Sequence, residues 1–353
     1  MESHRTLILQ LHFSTVPAAL GLRLLQRAER RGYFDIRQFR RNDWQQAVEE
    51  TETIPPATWS RWQESWPRAR QAAQKQQELS RENAAEYRSK NQEGVLLYGS
   101  EEYPSSLYRL FRPPFVLFFR GAKNMLSQGS GFAVCGSRKA TLQGRRDAFC
   151  LTYSVCSNSN FHLISGLSEG IELAACEGAL ASKKSGVGVL CCGLDAIAPE
   201  ESQHMAMRLL NSGGLLLSEY PNLQPRQRYT FLQRNRILAA LSASLIMAEI
   251  GPKTKSFNLI DYALELNHDV AALGNSQGVR RLFEQGCPHW PDAASLLKAL
   301  GMECKISASG ALPGNLDENV LSQQMGSLVA ANIHEELLEQ SQPYLGHKIE
   351  AKK

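Results

Sequence analysis

From residue 131 the chain alternates short apolar runs with longer segments of helical spacing, and this alternation constrains the fold more than any other feature. The runs are Phe132–Cys135, Phe161–Ile164, Val187–Cys191, Leu215–Leu217, Leu245–Ala248 and Val270–Leu273. Between them lie candidate helices near residues 141–157, 170–182, 201–212, 232–242, 256–267 and 278–286. Short strands separated by helices make βαβ units, and βαβ units make a parallel sheet. Right-handed crossovers then give an extended Rossmann-like, doubly wound α/β domain, which we place at residues 95–300.

The remaining chain reads differently. Residues 1–70 predict a small all-helical domain. Leu20, Leu24 and Leu25 recur at helical spacing, with Arg23, Arg27, Arg30 and Arg31 on the other faces. Trp44, Trp59, Trp62 and Trp66 supply aromatic anchors for its core. Residues 71–94 are rich in Gln, Ala, Glu, Lys and Arg, and predict a polar helical linker. Residues 301–353 predict a linker, densest in Ser, Gly and Pro at 307–316, followed by a short helical tail.

Composition excludes several classes. A hydrophobic content of 43% over 353 residues supports a sizeable core and rules out a disordered or collagen-like chain. The formal charge is only +4, but the tail carries 4 basic against 7 acidic side chains, so the positive excess lies before residue 301. Eight cysteines show no C-x-x-C and no zinc spacing, and read as small buried thiols in a reducing cytosol. Leu7–Leu11 is too short for a secretory core, and no run approaches the ~20 apolar residues of a membrane span. The expectation is a cytoplasmic protein without membrane association.

In an open α/β sheet, ligands bind beyond the carboxyl ends of the strands. The loops there contain Gly136-Ser137-Arg138-Lys139, Ser165-Gly166-Leu167-Ser168-Glu169-Gly170, Gly193-Leu194-Asp195 and Ser218-Glu219-Tyr220-Pro221. Small residues let backbone approach an anion, and a following helix offers free N–H groups. Arg138, with Arg234 and Arg236 from the next helix, would place three guanidinium groups at one sheet edge. That set suits a chain of phosphates. The competing reading is that Gly136, Gly166 and Gly170 only make turns and that the arginines pair with Glu169, Glu172 or Glu219. No catalytic set is apparent: Ser137, Ser165 and Ser168 lack a nearby His, and there is no Walker loop or full G-x-G-x-x-G. No cofactor is implied.

These motifs resemble the DprA/Smf family of DNA-processing proteins over about residues 95–300. The resemblance rests on Tyr103-Pro104, Pro113-Pro114-Phe115, Gly136-Ser137-Arg138, Ser165-Gly166 through Gly170-Ile171, Gly193-Leu194-Asp195, Ser218-Glu219-Tyr220-Pro221 and Arg234-Asn235-Arg236. It implies a non-catalytic, homodimeric single-stranded DNA-binding protein. Such a protein acts as a recombination mediator in DNA uptake, protecting single strands and helping to load a RecA-type recombinase. The DNA- or phosphate-binding residues implied are Gly136, Ser137, Arg138, Lys139, Ser165, Gly166, Gly170, Lys183, Lys184, Arg234, Asn235, Arg236, Lys253 and Lys255. The chain is a divergent member: Glu172 and Cys176 stand where the family has Asp and His, and Lys255 where its small-residue loop has glycine. Two other readings stand beside it. One is a Rossmann-like nucleotide sensor or nucleoside-phosphate hydrolase. The other is a partner-binding module that has lost DNA binding through the changes at 254–260.

Overall fold

The computed structural model describes residues 2–14, 16, 18–48, 56–86, 93–127, 130–251 and 256–302. Four helices open the chain: α1 (Glu2–Phe13), α2 (Ala18–Arg31), α3 (Arg41–Ala47) and α4 (Pro56–Glu86). The strands are β1 (Glu93–Leu97), β2 (Val116–Gly121), β3 (Gly131–Gly136), β4 (His162–Ser165), β5 (Gly186–Leu190), β6 (Leu215–Ser218), β7 (Ser244–Ala248), β8 (Asp269–Leu273) and β9 (His289–Trp290). The helices among them are α5 (Leu142–Asn158), α6 (Ile171–Ala181), α7 (Glu200–Asn211), α8 (Arg228–Leu241), α9 (Phe257–Glu265), α10 (Gln277–Glu284) and α11 (Ala293–Ala299). Each of the six apolar runs is a strand of one sheet, ordered β1-β2-β6-β5-β4-β3-β7-β8-β9.

The central strands β3, β5 and β6 are buried almost throughout, which is why they read as unbroken apolar runs rather than as alternating ones. From β3 the chain steps through β4 and β5 to β6, then returns to the other side of β3 for β7 and β8. This reversal creates a switch point between the carboxyl ends of β3 and β7, paired in parallel register from Phe132↔Ser244 to Gly136↔Ala248. The sheet is not wholly parallel. β2 runs antiparallel to β6, and β1 antiparallel to β2. These two strands come from the segment before the first predicted run.

The N-terminal helices cover β2. Phe118 is 1% exposed, and its ring lies 5.8 Å from His12 and 6.4 Å from Phe13 of α1. Helix α4 runs without a break across the expected boundary at residue 70, and Ala69 and Ala73 are both buried in it. Trp44 is the centre of the predicted aromatic core, with ring centroids 5.6, 5.4 and 5.6 Å from Trp59, Trp62 and Trp66. No described helix is long and apolar enough to cross a membrane. Among the described residues seven cysteines are free, five of them buried. Cys304 and the tail after residue 302 lie outside the described residues.

The packing of His12 has a measurable consequence. Desolvation holds its pKa down to about 4, from an ordinary 6.5. The unfolded chain therefore binds the proton more readily between those values, and stability falls as pH drops from about 6.5 towards 4. The slope contributed by this one group reaches at most about 1.4 kcal/mol per pH unit. Urea denaturation at stepped pH should show this decline, and His12→Phe should flatten it. An unchanged profile in that variant would exclude His12 as its source.

Candidate nucleic-acid interface

The site is built from loops at the carboxyl ends of β3 to β7. Strand β3 ends at Gly136, and a Cβ there would lie 1.8 Å from the Ala248 carbonyl oxygen of β7. Gly170 has φ +77°, and a Cβ on it would lie 2.3 Å from the Ser137 carbonyl oxygen. The Ile171 N–H also donates to that oxygen, at 3.2 Å. A Cβ on Gly166 would fall 1.2 Å from Nη1 of Arg234. The close approach expected at these glycines is real, but protein fills the space: two carbonyls and a guanidinium, not an open anion cradle. Ser165 is likewise buried, its Oγ accepting the Leu167 N–H at 3.1 Å.

The expected row of three arginines is corrected in the same way. Arg234 is 1% exposed. Its Nη1 donates to the Val189 carbonyl at 3.2 Å and lies 3.9 Å from the Glu172 carboxylate. Arg236 is also buried, its Nη2 donating to both oxygens of Glu219 at 2.6 and 2.7 Å. Asn235 donates to the Asn258 side chain at 2.8 Å. The pairing with Glu172 and Glu219 is thus what the structure shows. The cause is that α8 begins at Arg228, not near 232. The triplet therefore straddles the helix's second and third turns, facing the core, instead of sitting at its exposed start.

Lys183 and Lys184 are exposed, but they precede β5 and so lie at the amino ends of the parallel strands, opposite Arg138. The structure does not bring them into this site. Lys253 and Lys255 lie outside the described residues.

What does face solvent at the carboxyl ends is Arg138 and Lys139 after β3, Arg226 between β6 and α8, and Arg228 and Tyr229 at the start of α8. Arg138 and Arg228 have no carboxylate partner among the described residues. Arg226 donates to the Ala198 carbonyl at 3.2 Å, and Tyr229 is 54% exposed. Strands β3 and β6 are three sheet positions apart, so their carboxyl ends stand about 14 Å from one another. The second group was missed in the sequence, although Arg226-Gln227-Arg228-Tyr229 interleaves basic and aromatic side chains ahead of a helix.

Several carboxylates of this face are held internally. Asp195 is 2.6 Å from Arg120, and Glu172 and Glu219 face the two buried arginines. Glu249 leaves β7 with φ +44° and accepts the N–H and the Oγ1–H of Thr141, each at 2.7 Å. It thereby sits at the start of α5, where a dinucleotide-binding fold receives phosphate. Glu169, Glu200 and Glu201 remain at least partly open to solvent. Cys191, also on this face, has its thiol pKa lowered by the hydrogen bond with Cys192, with the Arg234 and Arg226 charges adding to the effect. No group of three or more metal-ligating side chains occurs among the described residues.

A Rossmann-like sheet with a basic, aromatic-flanked strand-end face defines a class of protein, and comparisons specify it. Residues 94–300 match the family model described as DNA recombination-mediator protein A. The chain belongs to this family. It is 33% identical over 205 residues to protein Smf of Synechocystis, covering 57% of this chain and 50% of that one. It is 31% identical over 193 residues to the DNA processing protein DprA of Bacillus subtilis, covering 53% and 64%. The match therefore spans half to under two thirds of these relatives. The DprA structure from Streptococcus pneumoniae superposes with a TM-score of 0.65 at 22% identity, over 83% of this chain and 97% of that one. A Helicobacter pylori DprA structure, described for its single-stranded DNA binding mode, gives 0.53 at 25% identity, over 59% and 95%.

Proposed function

We propose that the strand-end face binds single-stranded DNA and that the chain works as a recombination mediator. It would protect exposed strands and help to load a RecA-type recombinase during DNA uptake, without catalysing a reaction. The observation that carries this reading is the pairing of exposed Arg138 and Arg228, each without a carboxylate partner among the described residues, with the exposed Tyr229 ring on one face. Backbone phosphates would be neutralised by Arg138, Lys139, Arg226 and Arg228, and a base would stack on Tyr229. Ser137 and its neighbours supply the loop. Family membership supports the mediator role, and the DNA-binding mode described for the Helicobacter relative supports the ligand. A homodimer and a RecA-type partner rest on the family resemblance alone.

The nucleotide-sensor reading is less well supported, because the Glu249 carboxylate takes the place at the start of α5 that a nucleotide phosphate would need. Fluorescence anisotropy with a labelled oligo-dT over a salt series tests the proposal. Affinity should fall steeply with salt, and Arg138→Ala should weaken binding and reduce the log–log slope by about 0.7 per lost phosphate contact. Tyr229→Ala should cost about 1–3 kcal/mol with the slope retained. An Arg138→Ala titration that overlays the wild type would overturn the site.

A further inference from the structure

We infer that the Arg234-Asn235-Arg236 triplet positions the DNA-binding loops and does not itself touch phosphate; this deepens the single-strand reading above and rests on it. Successive residues of a helix point about 100° apart, so three in a row reach three different neighbours. Arg234 reaches between β4 and β5, against Gly166, the Val189 carbonyl and Glu172 at the start of α6. Its guanidinium also lies 5.0 Å from the Phe231 ring, one turn earlier in the same helix. Asn235 ties α8 to Asn258 in the first turn of α9. Arg236 grips Glu219, the first residue after β6.

One turn of α8 thus fastens the loop after β4, the end of β5, the loop after β6 and the start of α9. The loop after β6 continues through Tyr220, whose N–H is held by Ser218 Oγ at 2.9 Å, into the segment bearing Arg226, Arg228 and Tyr229. The loop after β4 is joined in turn to the Arg138 loop by the Ile171 N–H on the Ser137 carbonyl. Both basic groups therefore take their positions from this turn. Arg234 is 1% and Arg236 5% exposed, so little of either guanidinium reaches the surface, and Arg234 Nε and Arg236 Nε and Nη1 lie buried without a protein acceptor.

Glu219→Gln separates positioning from contact, because the two roles predict opposite signs. If Arg236 touches phosphate, removing its internal counter-ion should tighten binding and steepen the salt slope. If the pair positions the loop, Glu219→Gln should weaken oligo-dT binding several-fold with the slope unchanged, and Arg236→Lys should weaken it similarly although the charge is kept. Hydrogen exchange on the DNA-free protein gives a second readout, with faster exchange expected across 219–229 in both variants and unaltered exchange in Arg138→Ala. Tighter binding by Glu219→Gln, or unaltered exchange across 219–229, would overturn the inference. Absence of oligo-dT binding by the wild type would instead overturn the function, leaving the exchange result to judge the clamp.

Discussion

Gly136→Ala is expected to destabilise the protein by about 3 kcal/mol or more and to abolish oligo-dT binding with it. The added Cβ would lie 1.8 Å from the Ala248 carbonyl oxygen and 2.7 Å from Ile171 Cγ1. The first of these is backbone in the neighbouring strand, paired in register with Gly136 itself. No rotamer change relieves that contact. β3 and β7 would have to part at their carboxyl ends, where the Ser137 N–H also donates to the Glu249 carbonyl at 3.2 Å. The Arg138 loop begins one residue later, so strand separation displaces the basic group as well. Chemical denaturation and anisotropy on one preparation would check both effects. Near-wild-type stability would show that the two strands accommodate a methyl group there, contrary to the geometry.

Trp44→Ala is expected to cost about 3–5 kcal/mol, in the range for truncating a large buried aromatic. Trp44 is fully buried, and its ring is shared by Trp59, Trp62, Trp66 and Phe39. Because these neighbours come from α4 and the segment before α3, the cavity would loosen the joint between elements rather than one side chain. The indole Nε1 is buried without an acceptor, so Trp44→Phe loses no hydrogen bond and should cost much less than Trp44→Ala. Denaturant midpoints for the pair would show the contrast, and equal losses would contradict it.

Which parts of this molecule were legible beforehand follows from which physics each part obeys. Six of the seven parallel strands could be read because largely buried strands leave unbroken apolar runs, as in Val187–Leu190 and Leu245–Ala248, whereas β9, of two residues, leaves none. The antiparallel pair was harder. Val95–Leu97 follows a long polar stretch, and Val116–Phe119 follows two prolines, so neither sits within a βαβ period. The loops of the site were found through the strand ends and the family motifs. The direction of each side chain within them was not. Burial of Arg234 and Arg236 depends on where α8 starts, and a four-residue shift in that start moved both arginines from the helix's end into the core. Gly166 shows the same limit, because a missing side chain marks a close approach without saying what approaches.

The cover that α1 lays over β2 bears on where this protein can be cut. The family-matching segment starts at residue 94, at the edge of β1. A fragment beginning there would bare Phe118, together with Phe115, whose ring packs so close to Gly21 that a Cβ on that glycine would sit 2.5 Å away. Homology and foldability thus set different limits here. A fragment cut at the family limit is therefore expected to trade a covered surface for an adhesive one, and to associate where the longer chain does not.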